Sequence, residues 1–182
     1  MEYLASRKIL HGDLAARNIL LAKGNIAKIC DFGLAKSMYE NELYKSSKTI
    51  FPVKWMAIES LQDRIFSTQS DVWSFGITMW EFFSLAVIPY PDLDNSEVYK
   101  KLVSGYRLEK PKFATSKIYN IMKDCWREHP KQRPSFDEIV QKLGDILEPP
   151  TSPTQSRTIL NAPIVKNPDV VENQLELINF SG

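Results

Sequence analysis

Apolar and polar positions recur with different periods along this chain. Over 135–147, SFDEIVQKLGDIL places Phe136, Ile139, Val140, Leu143, Ile146 and Leu147 on one stripe at helical spacing. Ser135 and Glu138 stand before it at capping-box distance. Two further amphipathic helices are predicted, SKIYNIMKDCWRE (116–128), stopped by Pro130, and NSEVYKKLVSG (95–105), with Gly105 as its C-terminal cap. The run VWSFGITMWEFFS (72–84) is different, because its apolar residues cover nearly every face. A helix apolar all round is a buried central helix. The preceding TQSD (68–71) gives it a start close to a capping box, and Pro89 and Pro91 close the region.

The first third of the chain shows shorter patterns. Met1–Arg7 reads as the end of a helix and Lys8–His11 as a short strand. NILLAKGNIAKIC (18–30) holds two apolar runs about Gly24-Asn25, which predicts a β-hairpin. Residues 33–58 are mixed and polar and predict a long loop, a length usually functional or disordered. Residues 149–182 are rich in Pro, Ser, Thr and Asn and predict a disordered C-terminal tail, within which VVENQLELINF carries only a weak helical period. No internal repeat is present. The expected fold is mainly α with a small β hairpin.

Composition narrows the function classes. A chain of 182 residues that is 43% hydrophobic suffices for a sizeable core. A net charge of +1 argues against nucleic acid as a partner. Cys30 and Cys125 have no metal-ligand spacing and read as two buried small hydrophobes in a reduced compartment. No signal-peptide pattern occurs, and Glu81 interrupts the most apolar run, which is too short to span a membrane.

The candidate chemistry lies in Asp13, Asn18 and Asp31. Phosphoryl transfer to a hydroxyl needs a carboxylate near the attacking oxygen and hard oxygen ligands for magnesium on the phosphates. Asp13 is placed for the first task. Asn18, at D-x-x-x-x-N spacing, and Asp31 of DFG (31–33) suit the second, and the intervening hairpin brings them side by side. A lone Asp-x4-Asn is usually loop polarity and a lone DFG usually a turn. HGDLAARN (11–18), then a hairpin, DFG and AIE (57–59) in this order form a specific set.

With these motifs, residues 1–147 resemble the C-terminal lobe of a protein kinase, and specifically of a receptor tyrosine kinase. LAAR (14–17) stands where serine/threonine kinases typically carry a lysine two residues after the aspartate, and PVKWMAIES (52–60) is similarly tyrosine-kinase-like. MEYLASRK (1–8), ICDFGLAKSMY (29–39), TQSDVWSFGI (68–77) and PYP (89–91) resemble the platelet-derived and vascular endothelial growth factor receptor family, with its invertebrate branch nearest.

The resemblance implies a partial kinase domain over 1–148, a protein-kinase-like C-terminal lobe (α+β) with the small N-terminal lobe absent. It also implies roles. Asp13 matches the catalytic base, and Arg17 the arginine that steers the substrate tyrosine. Asn18 and Asp31 match the magnesium ligands and, with Arg17, the nucleotide site. Leu20 matches the apolar floor under adenine, and Cys30 the residue before DFG. Pro52–Trp55 match the platform for the substrate backbone. Glu59 matches a glutamate paired with a buried arginine, here Arg133. Asp71 matches a helix-start aspartate that holds the catalytic-loop backbone, its plainer reading being a helix cap. Tyr44, and after it Tyr39, match activation-loop phosphosites.

ATP and Mg2+ are the implied cofactors and protein tyrosines the substrates. A growth-factor ligand, a receptor dimer partner and the membrane would be met only through regions outside this sequence. The implied location is the plasma membrane for a full-length single-pass receptor, with this region cytoplasmic, and the cytoplasm for the fragment alone. No G-x-G-x-x-G occurs, so the chain alone is expected not to hold ATP productively, and a catalytically inactive binding or interfering module is the alternative reading.

Three departures stand out. Gly12 replaces the arginine of H-R-D, which in the family pairs with the activation-loop phosphate. Ile58 replaces the proline of A-P-E, and KSSKTIF (45–51) lacks the glycine and arginine common before the platform. None removes a reacting group.

Overall fold

The computed structural model describes residues 1–37, 44–45 and 51–147, with the backbone only at Ser37, Tyr44 and Lys45. In chain order the elements are α1 (Glu2–Ser6), β1 (Ile9–Leu10), β2 (Ile19–Ala22), β3 (Ile26–Ile29), β4 (Lys36–Ser37), β5 (Tyr44–Lys45), α2 (Ile58–Asp63), β6 (Ile65–Phe66), α3 (Thr68–Phe83), α4 (Asn95–Val103), α5 (Ser116–Cys125) and α6 (Phe136–Leu147). Single 3-10 turns cover Ala16–Asn18, Val53–Trp55 and Pro130–Gln132. The result is a helical lobe with small antiparallel pairings, the expected fold class.

Helix α3 is the axis. Val72, Trp73 and Ile77 are fully buried, and Met79 and Trp80 nearly so. Around them pack Val98 and Leu102 of α4, Ile118, Ile121, Met122 and Cys125 of α5, and Phe136 and Ile139 of α6. Burial at every angle is what its sequence required. The start lies one residue earlier than the TQSD reading. Ser67 is the N-cap, and its Oγ and that of Ser70 accept reciprocally from the Ser70 and Ser67 backbone N–H groups.

Gly76 sits where α3 meets α5. A Cβ there would lie 2.6 Å from Trp126 Nε1 and 2.7 Å from Cys125 Cβ, so any larger residue would force these neighbours to shift.

The other helices follow their local signals. α4 ends in a Schellman motif, with Gly105 N–H donating to Leu102 O and Tyr106 N–H to Lys101 O, both at 3.0 Å. α5 stops at Cys125, short of the Glu128 expected. α6 has its capping box, Ser135 N–H donating to Glu138 Oε2 at 2.7 Å and Glu138 N–H to Ser135 Oγ at 3.1 Å. Its stripe is only partly used, because Phe136 and Ile139 are buried while Val140 and Leu147 are exposed.

The β2–β3 hairpin forms about Gly24 and Asn25, both with left-handed φ, in the register Ile19↔Ile29 to Ala22↔Ile26. The region 33–58 is not a plain loop. β4 pairs with β1 and β5 with β6, which ties Lys36–Ser37 to the strand before HGD and Tyr44–Lys45 to the strand before α3. Two-residue strands have no period, which is why the pattern missed them. Leu10, Met56 and Phe66 form a second small core, with Phe51 stacked on Phe66 at 5.3 Å. Among the described residues no helix is long and apolar enough to cross a membrane. Residues 149–182 and Tyr39 lie outside the described residues.

Candidate active site

The site is built from the backbone after β1. Asp71, fully buried in the first turn of α3, accepts His11 N–H on Oδ2 at 2.7 Å and Gly12 N–H on Oδ1 at 3.0 Å. Its carboxylate therefore grips the loop rather than capping its own helix. Burial pushes its carboxyl up from 3.8 to about 6, opposed by those two hydrogen bonds. Gly12 has φ +78°, and a Cβ there would stand 3.2 Å from Leu34 O. Glycine takes this left-handed conformation without the strain an L side chain meets.

His11, completely buried, orders the centre. Asp13 N–H donates to its Nδ1 at 3.2 Å, so Nδ1 carries no proton, and Nε2–H donates to Cys30 O at 3.1 Å. Burial lowers the imidazole pKa, in keeping with this neutral ring. The ring lies 5.0 Å from that of Phe32. The segment carrying Asp13 and the segment carrying Asp31 are thus joined through one histidine.

Asn18 makes the second join. Its Nδ2 donates to Asp13 O at 2.7 Å, and its carbonyl accepts Cys30 N–H at 2.9 Å and Cys30 Sγ at 3.3 Å. Asn18 itself is buried, 5% exposed. Asp31 follows with φ 61°, a left-handed conformation aspartate tolerates, and its carboxylate is exposed. Arg17 pairs with Asp13 and lays its guanidinium 4.6 Å from the centre of the Trp55 ring. Both partners are partly exposed, so the pair orients more than it stabilises.

The other expected site residues lie around this centre. Leu20 is on β2, 56% exposed, on the hairpin surface. Cys30 is half-buried, not the buried hydrophobe that the sequence suggested; Cys125 is fully buried. Glu59 and Arg133 form a separate junction with two contacts, Nη1 to Oε1 at 2.6 Å and Nη2 to Oε2 at 2.8 Å. Arg133 also donates to the carbonyls of Arg127, Gln69 and Glu128, which satisfies a guanidinium with no exposed side-chain surface. The backbone of Tyr44 pairs with Phe66.

One residue escaped the sequence reading. Glu81, 7% exposed, accepts Ala16 N–H at 2.9 Å and Trp55 Nε1–H at 2.8 Å on the same oxygen. The only signal was a lone carboxylate within an apolar helix, which must find donors if buried.

The donor set is one exposed carboxylate and one amide oxygen beside a second carboxylate. Among the described residues no group of three or more His, Cys, Asp or Glu could hold a metal by itself. Two hard oxygens suit magnesium that takes its remaining ligands from phosphates and water.

Comparison with known proteins agrees with this geometry. Residues 1–143 match the model of the family described as protein tyrosine and serine/threonine kinase. Over 150 residues the chain is 53% identical to vascular endothelial growth factor receptor 1 of Mus musculus and of Homo sapiens, and 50% identical to vascular endothelial growth factor receptor 2 of Mus musculus. Each alignment covers 81% of this chain and 11% of the relative, so the chain spans about a tenth of the length of the curated relatives it matches.

Proposed function

The chain belongs to the protein tyrosine and serine/threonine kinase family, and from that premise we propose that it is the catalytic lobe of a receptor tyrosine kinase of the vascular endothelial growth factor receptor type. The whole protein would transfer the γ-phosphoryl group of ATP to protein tyrosine. The observation that carries this reading is the joining of Asp13, Asn18 and Cys30–Asp31 through His11 and the Asn18 amide, with Arg17 on Asp13.

Asp13 accepts the proton of the tyrosine hydroxyl as that oxygen attacks. Arg17, held between Asp13 and the Trp55 ring, orients the acceptor ring beside the base. The 52–55 turn receives the peptide backbone, fixed by Lys54 Nζ donating to Tyr90 O at 2.9 Å and Ser74 Oγ donating to Trp55 O at 2.8 Å. Asn18 Oδ1 and Asp31 would hold magnesium, which when bound neutralises charge on the transferred phosphoryl group. Leu20 would lie under the adenine. Protein tyrosines are the proposed substrates, and a growth-factor ligand, a dimer partner and a plasma-membrane location are proposed for the whole receptor.

The test is transfer to a tyrosine peptide with Mg-ATP by the whole protein that carries this lobe. Asp13→Asn is expected to lose about 10²–10⁴-fold in rate. An unchanged rate removes Asp13 as the base, and equal transfer to a serine peptide defeats the tyrosine assignment.

We infer further that Gly12 weakens the phosphate switch on Tyr44 while leaving the reacting groups in place. The loop conformation that an arginine would hold under strain is strain-free in glycine and is gripped by Asp71. Gly12→Arg is expected to increase the activity gained on Tyr44 phosphorylation. Equal phospho-dependence of the two proteins rules this out.

A further inference from the structure

A cavity of about 770 Å³ lies where the end of α1, the start of α3 and the 130–132 turn meet, and none of the reacting groups lines it. Its size falls within the range of ligand pockets, roughly 300–1,000 Å³. Ala5, Ile65 and Pro130 give it apolar wall, and Lys8, His129 and Lys131 line it as exposed residues. The one carboxylate of its lining, Glu59, has both oxygens on Arg133 and so offsets neither lysine. Among the described residues neither Lys8 nor Lys131 has a carboxylate partner. Helix α3 begins in this wall at Ser67–Gln69, so the positive end of its dipole adds to the same field.

The chain contains a segment of the opposite character. Residues 169–180, DVVENQLELINF, carry Asp169, Glu172 and Glu176 and no Lys or Arg. With them stand Val170, Val171, Leu175, Leu177, Ile178 and Phe180. The preceding stretch 149–168 has the reverse charge, with Arg157 and Lys166 and no Asp or Glu. An apolar hollow with unpaired cations therefore meets its match in one part of the sequence after α6 and not in the other.

Length permits the contact. α6 follows the 130–132 turn directly, and its 12 residues measure about 18 Å. Residues 148–168 need only lead back along that helix, and a coil of that length spans roughly 25 Å.

We propose that residues 169–180 dock in this cavity of the same chain, their apolar side chains against Ala5, Ile65 and Pro130 and their carboxylates towards Lys8 and Lys131. The proposal rests on the cavity and on charge, and not on the kinase reading.

The experiment is hydrogen exchange by NMR on the 182-residue chain. Amides of 170–180 are expected to exchange several-fold more slowly than those of a free peptide of the same sequence, independently of protein concentration. Lys8→Glu with Lys131→Glu should remove most of that protection, while amides of α5 and α6 keep their rates. Adding Glu172→Lys with Glu176→Lys should then restore it, because the two sets of charges are coupled only if they meet.

Rates equal to those of the free peptide would leave the cavity to another occupant and overturn the proposal. Protection that ignores the lysine reversal would seat the segment elsewhere, and protection that grows with protein concentration would seat it on a second copy; either overturns it. A second measurement leaves the cavity itself untouched. Leu175→Asp with Ile178→Asp should shift the methyl signals of Ala5 and Ile65 and leave those of Val98 and Ile121, in the helical core, in place. Unchanged Ala5 and Ile65 signals would overturn the docking as well.

Discussion

The helical part, residues 68–147, and the loop part, residues 1–66, are held by different physics. The helical part has a continuous apolar core, reciprocal caps on α3 and α6 and a Schellman end on α4. Among its described residues the loop part sends Ala57 and Ile58 into that core and otherwise forms the small Leu10–Met56–Phe66 cluster, and the side chains of β2–β3 are exposed or half-buried throughout. Its shape comes instead from polar groups of α3. Asp71 grips His11 and Gly12, Ser74 holds Trp55 O, and Glu81 holds Ala16 and Trp55. A rigid helix thus lends its order to an irregular loop, which is how side chains on irregular backbone can be placed precisely.

The comparison breaks most visibly at Arg133, which ties Glu59 to the helical part. Arg133→Ala strands a carboxylate and three carbonyls, and is expected to cost about 3–5 kcal/mol. The thermal midpoint should fall by on the order of 10 °C. An unchanged melt would show that this junction is not structural.

Asp71 tests the grip on the loop. Its raised folded-state pKa means that its contribution is fully present below 3.8 and is lost as pH rises through about 6. His11 acts in the opposite sense, since a lowered imidazole pKa removes stability as pH falls below 6.5. Comparing wild type with Asp71→Asn isolates the first effect. From pH 4 to pH 7 the stability of wild type relative to the variant should fall by roughly 3 kcal/mol, and a constant difference would mean that Asp71 does not titrate there.

Gly76→Ala probes packing inside the helical part alone. Its methyl group meets Trp126 and Cys125, both buried, so overpacking should cost about 1–3 kcal/mol despite the better helix propensity of alanine. A stabilised variant would show that α3 and α5 can separate freely. The mildest test uses the two cysteines. Cys125 has its thiol pushed up to about 12 by burial and should react with a maleimide only on unfolding, whereas half-buried Cys30 should react in the folded protein. Equal protection of both would deny the difference between the two parts.

Several features were legible in the sequence because their causes are local. The stripe of α6, the caps at Ser135–Glu138 and Gly105, and the Gly24-Asn25 turn are encoded within a few residues of where they act. So are the motif spacings of Asp13, Asn18 and Asp31. A stripe says which side of a helix is apolar but not how far a partner covers it, so Val140 and Leu147 turned out exposed. Two-residue strands carry no period at all, so β4 and β5 were invisible.

The sequence by itself determined the helices, the hairpin and the motif spacing of Asp13, Asn18 and Asp31, because periodicity, capping and motif spacing act over a turn or two of chain. Only the tertiary structure decided what Glu81 holds, and it chose for Asp71 between the loop backbone that the resemblance implied and a plain helix cap. Their partners lie 26 to 65 residues away, a separation over which no local pattern constrains which donor a buried carboxylate will meet.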